Sequence, residues 1–255
     1  MDVAFCVEMN YGDCLTIDIM PYASGVNCNF YHWANVPSDR MICLGIGTLV
    51  DYIIRLSWFR DRDVILLGTG TNNFGSPVEA KFRGFARGEL SAQRLGVEAI
   101  GDMGILADRV MGRVKEVKEQ TILCLGEKAV TDDIKKVVSE VLPDVRNYNC
   151  NAAMAVGGTR MTYRDIASSR YVVTDKLHYA MTAEAVGNPW VIYHHHEGTL
   201  FEQPLRFNDW ADMIGKSKFI ISDLSQLGII KENNNFEKSE KQKDKLIKRT
   251  MELAS

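Results

Sequence analysis

The 255-residue chain has no surplus of positive charge: 30 Lys and Arg stand against 33 Asp and Glu, a net charge of −3. Bulk nucleic-acid binding needs a basic footprint, so that class is set aside. The six cysteines, Cys6, Cys14, Cys28, Cys43, Cys124 and Cys150, form no CxxC pair and no zinc spacing. Cys43 and Cys124 sit inside apolar runs and read as small buried hydrophobes. No apolar run approaches the length of a membrane span. The opening residues, MDVAFCVEMNYGD, show neither a basic n-region nor a long apolar core. Free thiols without a visible export signal make the cytoplasm the expected location, with at most peripheral membrane association. There is no repeat at a solenoid period. What is present is ordinary for a globular chain: 46% hydrophobic and 25% charged residues are enough for a core, in one large domain or two small ones.

The apolar segments are short and end in turn chemistry. Residues 3–7, 41–44 and 64–67 read as strands. They run into Asn10-Tyr11-Gly12-Asp13, Gly45-Ile46-Gly47-Thr48 and Gly68-Thr69-Gly70-Thr71-Asn72. Short helices are expected at 15–22, 49–55 and 91–95, with a strand-like piece at 85–89. This is a doubly wound pattern, its loops gathered at one sheet edge. A charged, helix-compatible passage at 108–120 separates it from a second alternation. There the expectation is strand 122–125, helix 132–141, strand 145–147, a helix around 164–167, a helix at 210–214 and a last strand or packed turn at 219–222. The chain therefore reads as α/β, with domains at 1–115 and 116–231. The charged tail at 232–255 has a thin apolar face of Leu246, Ile247, Met251 and Leu253; it is a surface or domain-crossing helix, or a solvated tail.

Within the second half, 171–196 is the most informative stretch. Tyr171, Val172 and Val173 end a buried strand, Thr174 or Asp175 can cap a helix, Leu177, Met181 and Ala185 give it an apolar face, and Gly187 and Pro189 stop it before a strand at 190–193. Lys176 and His178 fall in the first turn. A helix N-terminus presents unpaired N–H groups and a positive dipole end, so a cation and an imidazole there suit an anionic ligand, unless both are simply solvated.

Other motifs leave two readings open. Gly68-Thr69-Gly70 is a phosphate-facing or merely tight turn, since GTGTNNFG is not a dinucleotide fingerprint. Asp13 is turn chemistry or a catalytic base. His194, His195 and His196 alternate across a strand end, so three in a row cannot easily share one ion; one of them facing a site is the better reading. Phe30, Tyr31, His32 and Trp33 form a loop that stacks on a sugar ring or covers the core.

Taken together and in order, Asn10-Tyr11-Gly12-Asp13, the 42–47 segment, Leu67-Gly68-Thr69-Gly70, Arg87-Gly88-Glu89-Leu90-Ser91 with Arg94-Leu95-Gly96, Gly101-Asp102-Met103-Gly104, Lys176-Leu177-His178, Ala183-Glu184-Ala185-Val186-Gly187-Asn188-Pro189 and Arg206-Phe207-Asn208-Asp209-Trp210 resemble the polysaccharide pyruvyl transferase family over most of 8–210. The chain departs from the family pattern in four places. Glu89 stands where Arg-Gly is usually followed by Pro, Met103 where Pro is common after Gly-Asp, Lys176 where Arg often precedes Leu-His, and Tyr179 where a small residue follows the His. Lys keeps the charge but not the bidentate fork.

The resemblance implies two Rossmann-like parallel-sheet domains facing a cleft, in a glycosyltransferase-B-like arrangement. It implies pyruvate transfer from phosphoenolpyruvate to two hydroxyls of a sugar, giving a cyclic ketal in a glycan or its precursor. The donor is a substrate, and no cofactor or metal is implied. The acceptor is a sugar, with lipid-linked, nucleotide-linked and polymeric forms all open. Asp13 would be the base or electrostatic partner and His178 the acid or a phosphate ligand. Arg87, Lys176, Leu177, Gly68, Thr69 and Gly70 would hold the donor, and Asn10, Tyr31, His32 and Trp33 the acceptor. The competing readings are a nucleotide-sugar-dependent glycosyltransferase of similar fold and a non-catalytic glycan- or anion-binding protein.

Overall fold

The structure, a computed structural model, describes residues 1–5, 11–37, 41–48, 50–54, 59, 62–72, 77–114, 119–126, 131–148, 158–194 and 203–255. Six parallel strands make the first sheet: β1 (Asp2–Phe5), β2 (Asn29–His32), β3 (Ile42–Leu44), β4 (Val64–Thr69), β5 (Phe82–Ala86) and β6 (Glu98–Ala99), ordered β2-β1-β3-β4-β5-β6. Five make the second: β7 (Thr121–Cys124), β8 (Val145–Asn147), β9 (Tyr171–Thr174), β10 (Trp190–Tyr193) and β11 (Ile220–Ile221), ordered β11-β10-β9-β7-β8. Every pairing is parallel. The chain is thus α/β with two Rossmann-like sheets. In each, the strand order turns around next to the first strand, between β1 and β3 and between β7 and β9.

Side-chain alternation along the strands accounts for the layering. Val3, Cys43, Ile65, Leu67 and Phe85 of the first sheet, and Ile122, Cys124, Val172, Trp190 and Ile192 of the second, belong to one apolar cluster. Their neighbours face outward. Ala4, Ile42, Leu44, Val64 and Leu66 pack with α2 (Val50–Ile53) and α3 (Glu89–Leu95), and Leu123, Val173 and Val191 pack with α5 (Asp132–Val141) and the 3-10 segment Leu224–Glu232. Between the sheets lie α1 (Tyr11–Ser24), α4 (Ala107–Met111), α6 (Gly158–Ser168), α7 (Leu177–Val186) and α9 (Glu237–Ala254), which supply Leu15, Ile19, Ala107, Ile166, Met181 and Leu246 to the shared cluster.

Several sequence expectations shift. Tyr11, Gly12 and Asp13 are not a loop but the first turn of α1, which starts four residues before the expected 15 and continues to Ser24; Asn10 itself lies outside the described residues. Tertiary contact sets that start: Tyr11 is buried, its hydroxyl lies 2.9 Å from Thr182 Oγ1, and its ring packs edge-on against Tyr179. The aromatic loop is strand β2 followed by a 3-10 turn at Trp33–Asn35. The strand-like piece at 85–89 is β5, and Glu89 already begins α3. The helix expected at 210–214 is α8 (Gln203–Ala211). Neither Thr174 nor Asp175 is the N-cap of α7; Lys176 occupies it, and its amide donates to Thr174 Oγ1 at 2.9 Å.

The tail is helix α9. Its buried stripe is Ser239, Gln242, Lys243, Leu246 and Thr250, at helical spacing but mostly polar. It ties both halves together. Ser239 Oγ donates to Glu184, Gln242 Nε2 donates to the Ile100 carbonyl at 2.8 Å, and the fully buried Lys243 Nζ donates to the Ala185 carbonyl at 2.7 Å and pairs with Asp108 at 2.9 Å. Among the described residues no helix is long and apolar enough to cross a membrane.

Candidate functional site

In open parallel sheets, ligands bind beyond the carboxyl ends of the strands, at the turn-around of strand order. The first sheet places there the start of α1 after β1 and the Gly45–Gly47 turn after β3. The Asp13 carboxylate lies against Gly47, filling the space a side chain there would need. The second sheet places there Gly126 after β7 and the Asp175–Lys176 turn after β9, with the Gly126 amide donating to Asp175 Oδ2 at 2.8 Å. These two edges meet. A Cβ on Gly12 would overlap the His178 imidazole, so only glycine lets α7 bring His178 against the first turn of α1.

His178 is buried, and its Nε2 lies 3.7 Å from Oδ2 of Asp102, which follows β6. Asp102 is fully buried; its Oδ1 accepts from the Gly104 amide at 2.8 Å, while Oδ2 has no hydrogen-bond partner among the described residues. Asp13 is 7% exposed. Burial pushes its pKa up to about 6, and the nearby Asp102 adds to this, while His178 and Arg206 oppose it. A carboxyl titrating there can hold or release a proton near neutrality.

Cations come from both halves. Arg87, at the end of β5, is fully buried with its guanidinium over Gly70, where a Cβ would collide with it. Its Nη2 donates to the Thr71 carbonyl at 3.2 Å and its Nε stands 3.5 Å from Asp209 Oδ2, but neither Nε nor Nη1 makes a hydrogen bond among the described residues. Asp209, on α8, also accepts from the amides of Leu90 at 2.9 Å and Ser91 at 3.1 Å and from Ser91 Oγ at 2.5 Å, capping α3 across the two halves. Gly88 gives the Asp209 carbonyl room to approach. Arg206, one turn earlier on α8, is lowered to about 10 by burial and by Arg87 beside it, against the pull of Asp175 and Asp13. Its Nε has no hydrogen-bond partner among the described residues. Lys176 Nζ pairs with Asp175 at 3.2 Å and is partly exposed.

Asp13, His178, Arg87 and Lys176, singled out from the sequence, therefore fall in one neighbourhood. The remaining donor candidates differ. Leu177 is buried in the apolar cluster. Thr69 is fully buried and donates to the Leu44 and Gly45 carbonyls at 2.8 and 2.6 Å, clasping β4 to β3. Gly68, at φ +78°, lies against the Gly101–Met103 turn. Gly70 is the floor beneath Arg87. On the edge strand, Tyr31 and His32 are half-buried, and His32 Nδ1 accepts from the Ala34 amide at 3.2 Å. Trp33 packs 6.1 Å from Tyr52, a 55% exposed residue. His194 is buried beside Phe207 at the end of β10; His195 and His196 lie outside the described residues. Sequence reasoning left Asp102, Arg206 and Tyr52 off the site. Asp102 had a signal, being the carboxylate of a Gly-Asp turn at a strand end. Arg206 had none beyond its place in the family-like segment, because its helix lies far along the chain from Arg87.

No family model matches the chain, and no curated protein matches it. Among solved structures, it is similar to the crystal structure of a functionally uncharacterized protein from Klebsiella pneumoniae, with a TM-score of 0.54 and 15% identity over 87% of this chain and 92% of that one. At that identity the similarity shows a shared fold.

Proposed function

We propose that this chain is a pyruvyltransferase that takes pyruvate from phosphoenolpyruvate and joins it to two hydroxyls of a sugar as a cyclic ketal. The observation that carries the reading is a pair of guanidiniums, Arg87 and Arg206, that repel one another electrostatically and whose Nε groups find no hydrogen-bond acceptor among the described residues. Two like charges held together in a buried place raise each other's energy, and a multiply charged anion between them reverses that. Phosphoenolpyruvate brings a phosphate and a carboxylate, and Lys176 with the N-terminus of α7 offers a further cationic patch. Two domains, 1–115 and 116–231, would face each other across a cleft in a glycosyltransferase-B-like manner, with the 232–255 helix spanning both.

The chemistry assigns work to the acid–base residues. One hydroxyl hydrogen ends on the donor's methylene carbon, making it a methyl group, and the other ends on phosphate. Two new C–O bonds form at the donor's central carbon as the bond to the phosphate oxygen breaks. His178 delivers the proton to carbon. Asp13, ionised above about pH 6, receives a hydroxyl proton and offsets positive charge at the central carbon. Trp33 and Tyr52 stand on the acceptor side. The test is thermal stability of the purified protein with and without phosphoenolpyruvate, with uridine diphosphate as control, repeated on His178→Ala. A rise specific to phosphoenolpyruvate and diminished in the variant supports the reading; a rise with the nucleotide alone contradicts it.

A further inference from the structure

Sequence motifs single out His178 without a partner, and the structure supplies one. We infer that Asp102 is a positioning residue for His178: its buried Oδ2 holds the imidazole hydrogen on Nε2, so that Nδ1, lying against Gly12 beside Asp13, is the nitrogen that gains and loses a proton. The inference rests on the acid role proposed for His178 and names what sustains it.

Three observations carry it. Asp102 Oδ2 and His178 Nε2 are both buried and lack any hydrogen-bond partner among the described residues, and they face each other at 3.7 Å. A buried carboxylate oxygen with no donor is costly, so an N–H directed at it is the arrangement of lowest energy. Contacts of this kind are commonly long without a ligand and shorten when one binds. The ring cannot turn over freely. Gly12 lies against its Nδ1, Cγ and Cε1, and Gly104 lies near its Cδ2, at 3.3 Å from where a Cβ would stand. Finally, Asp102 itself is fixed, because its other oxygen caps the Gly104 amide at the start of the 3-10 segment Met103–Leu106.

The tautomer follows from the partner: which ring nitrogen carries hydrogen is set by the hydrogen bond the other nitrogen makes. When Nδ1 gains a proton, the resulting imidazolium lies next to the Asp102 carboxylate. When that proton passes to the donor's methylene carbon, the N–H bond breaks, the alkene electron pair forms the C–H bond, and His178 returns to the neutral form with hydrogen on Nε2.

The test uses the full chain with ¹⁵N-labelled histidine and needs no donor or acceptor. The His178 resonances are assigned by their loss in His178→Gln. In the native protein at mildly alkaline pH, the neutral ring should show Nε2 protonated and Nδ1 bare. Asp102→Asn keeps the size of the side chain and an oxygen for the Gly104 amide, but turns an NH₂ toward Nε2, so it should exchange the two resonances with little change in melting temperature. Hydrogen on Nδ1 in the native protein overturns the inference, as does an unchanged pattern in a folded Asp102→Asn. Should Asp102→Asn not fold, Asp102→Ala provides the comparison, expected to lose the preference for hydrogen on Nε2. The readout is independent of phosphoenolpyruvate. A pyruvyl-transfer reading that fails on donor binding leaves it standing, and an unaltered tautomer refutes it whether or not donor binds.

Discussion

Asp13 carries its charge at the expense of the fold. Its carboxyl is raised from 3.8 to about 6, chiefly by burial. A raised carboxyl favours the folded state while protonated, and that stability is lost as pH rises from about 4 through about 6. The amount is about 3 kcal/mol at most. Asp13→Asn has no such loss. It should therefore be more stable than the native protein at pH 8, with the difference shrinking as pH falls toward 4, and should lack the proposed pyruvyl transfer. Melting curves across that range check this; parallel pH profiles for the two proteins would refute it. Gly12→Ala should do the reverse at one stroke: its methyl group would displace His178, lowering stability by about 1–3 kcal/mol in urea titrations and removing any donor-induced stabilisation. At this scale the motifs around Asp13, Lys176 and His178 have their own local signal, and the fold brings the three residues close together. The motifs were uninformative for Thr69 and Leu177, since the same spacing serves a hydroxyl clasp or a core contact equally well.

Helices α3 and α8 are joined by one side chain. Asp209 satisfies two amides at the start of α3, takes the Ser91 hydroxyl and stands beside Arg87. Asp209→Ala removes a cap and leaves a buried guanidinium without its counter-charge, at about 2–4 kcal/mol together, read as a lowered urea midpoint. Asp209→Asn should retain part of the cap and lose less. An Asp209→Ala protein as stable as the native one would show that the clasp is not used. Elements were legible where an apolar period or a turn residue marks them, as with α5, found over the expected residues, and β7 and β9. Helix α1 extends upstream of its expected start because Tyr11 is held by Thr182 and Tyr179, contacts 171 and 168 positions away in the chain that no local pattern reports.

The whole molecule is held by a core common to both sheets and by α9 crossing it. Lys243 is fully buried with Asp108 as counter-charge. Lys243→Met alone leaves that carboxylate unpaired and should destabilise by about 3–5 kcal/mol, whereas Lys243→Met with Asp108→Leu should recover most of it, as calorimetry can measure. With one apolar cluster spanning both sheets, the native protein should melt in a single transition; two separated transitions would contradict the shared core. The α/β class and the two parallel sheets were readable from alternating apolar segments and turns. The brace was not, because α9 buries Ser239, Gln242, Lys243 and Thr250 around a single fully buried Leu246, and a polar stripe resembles a solvated helix until its partners are known.

The site depends on this assembly, since Arg87 and Asp102 come from one half and Arg206 and His178 from the other. The most direct measurement is a calorimetric titration of the purified protein with phosphoenolpyruvate, repeated on Arg206→Gln. Saturable binding, weakened at least about tenfold in the variant and absent with uridine diphosphate, is the predicted result. No binding of phosphoenolpyruvate, or equal binding by the variant, would contradict the account.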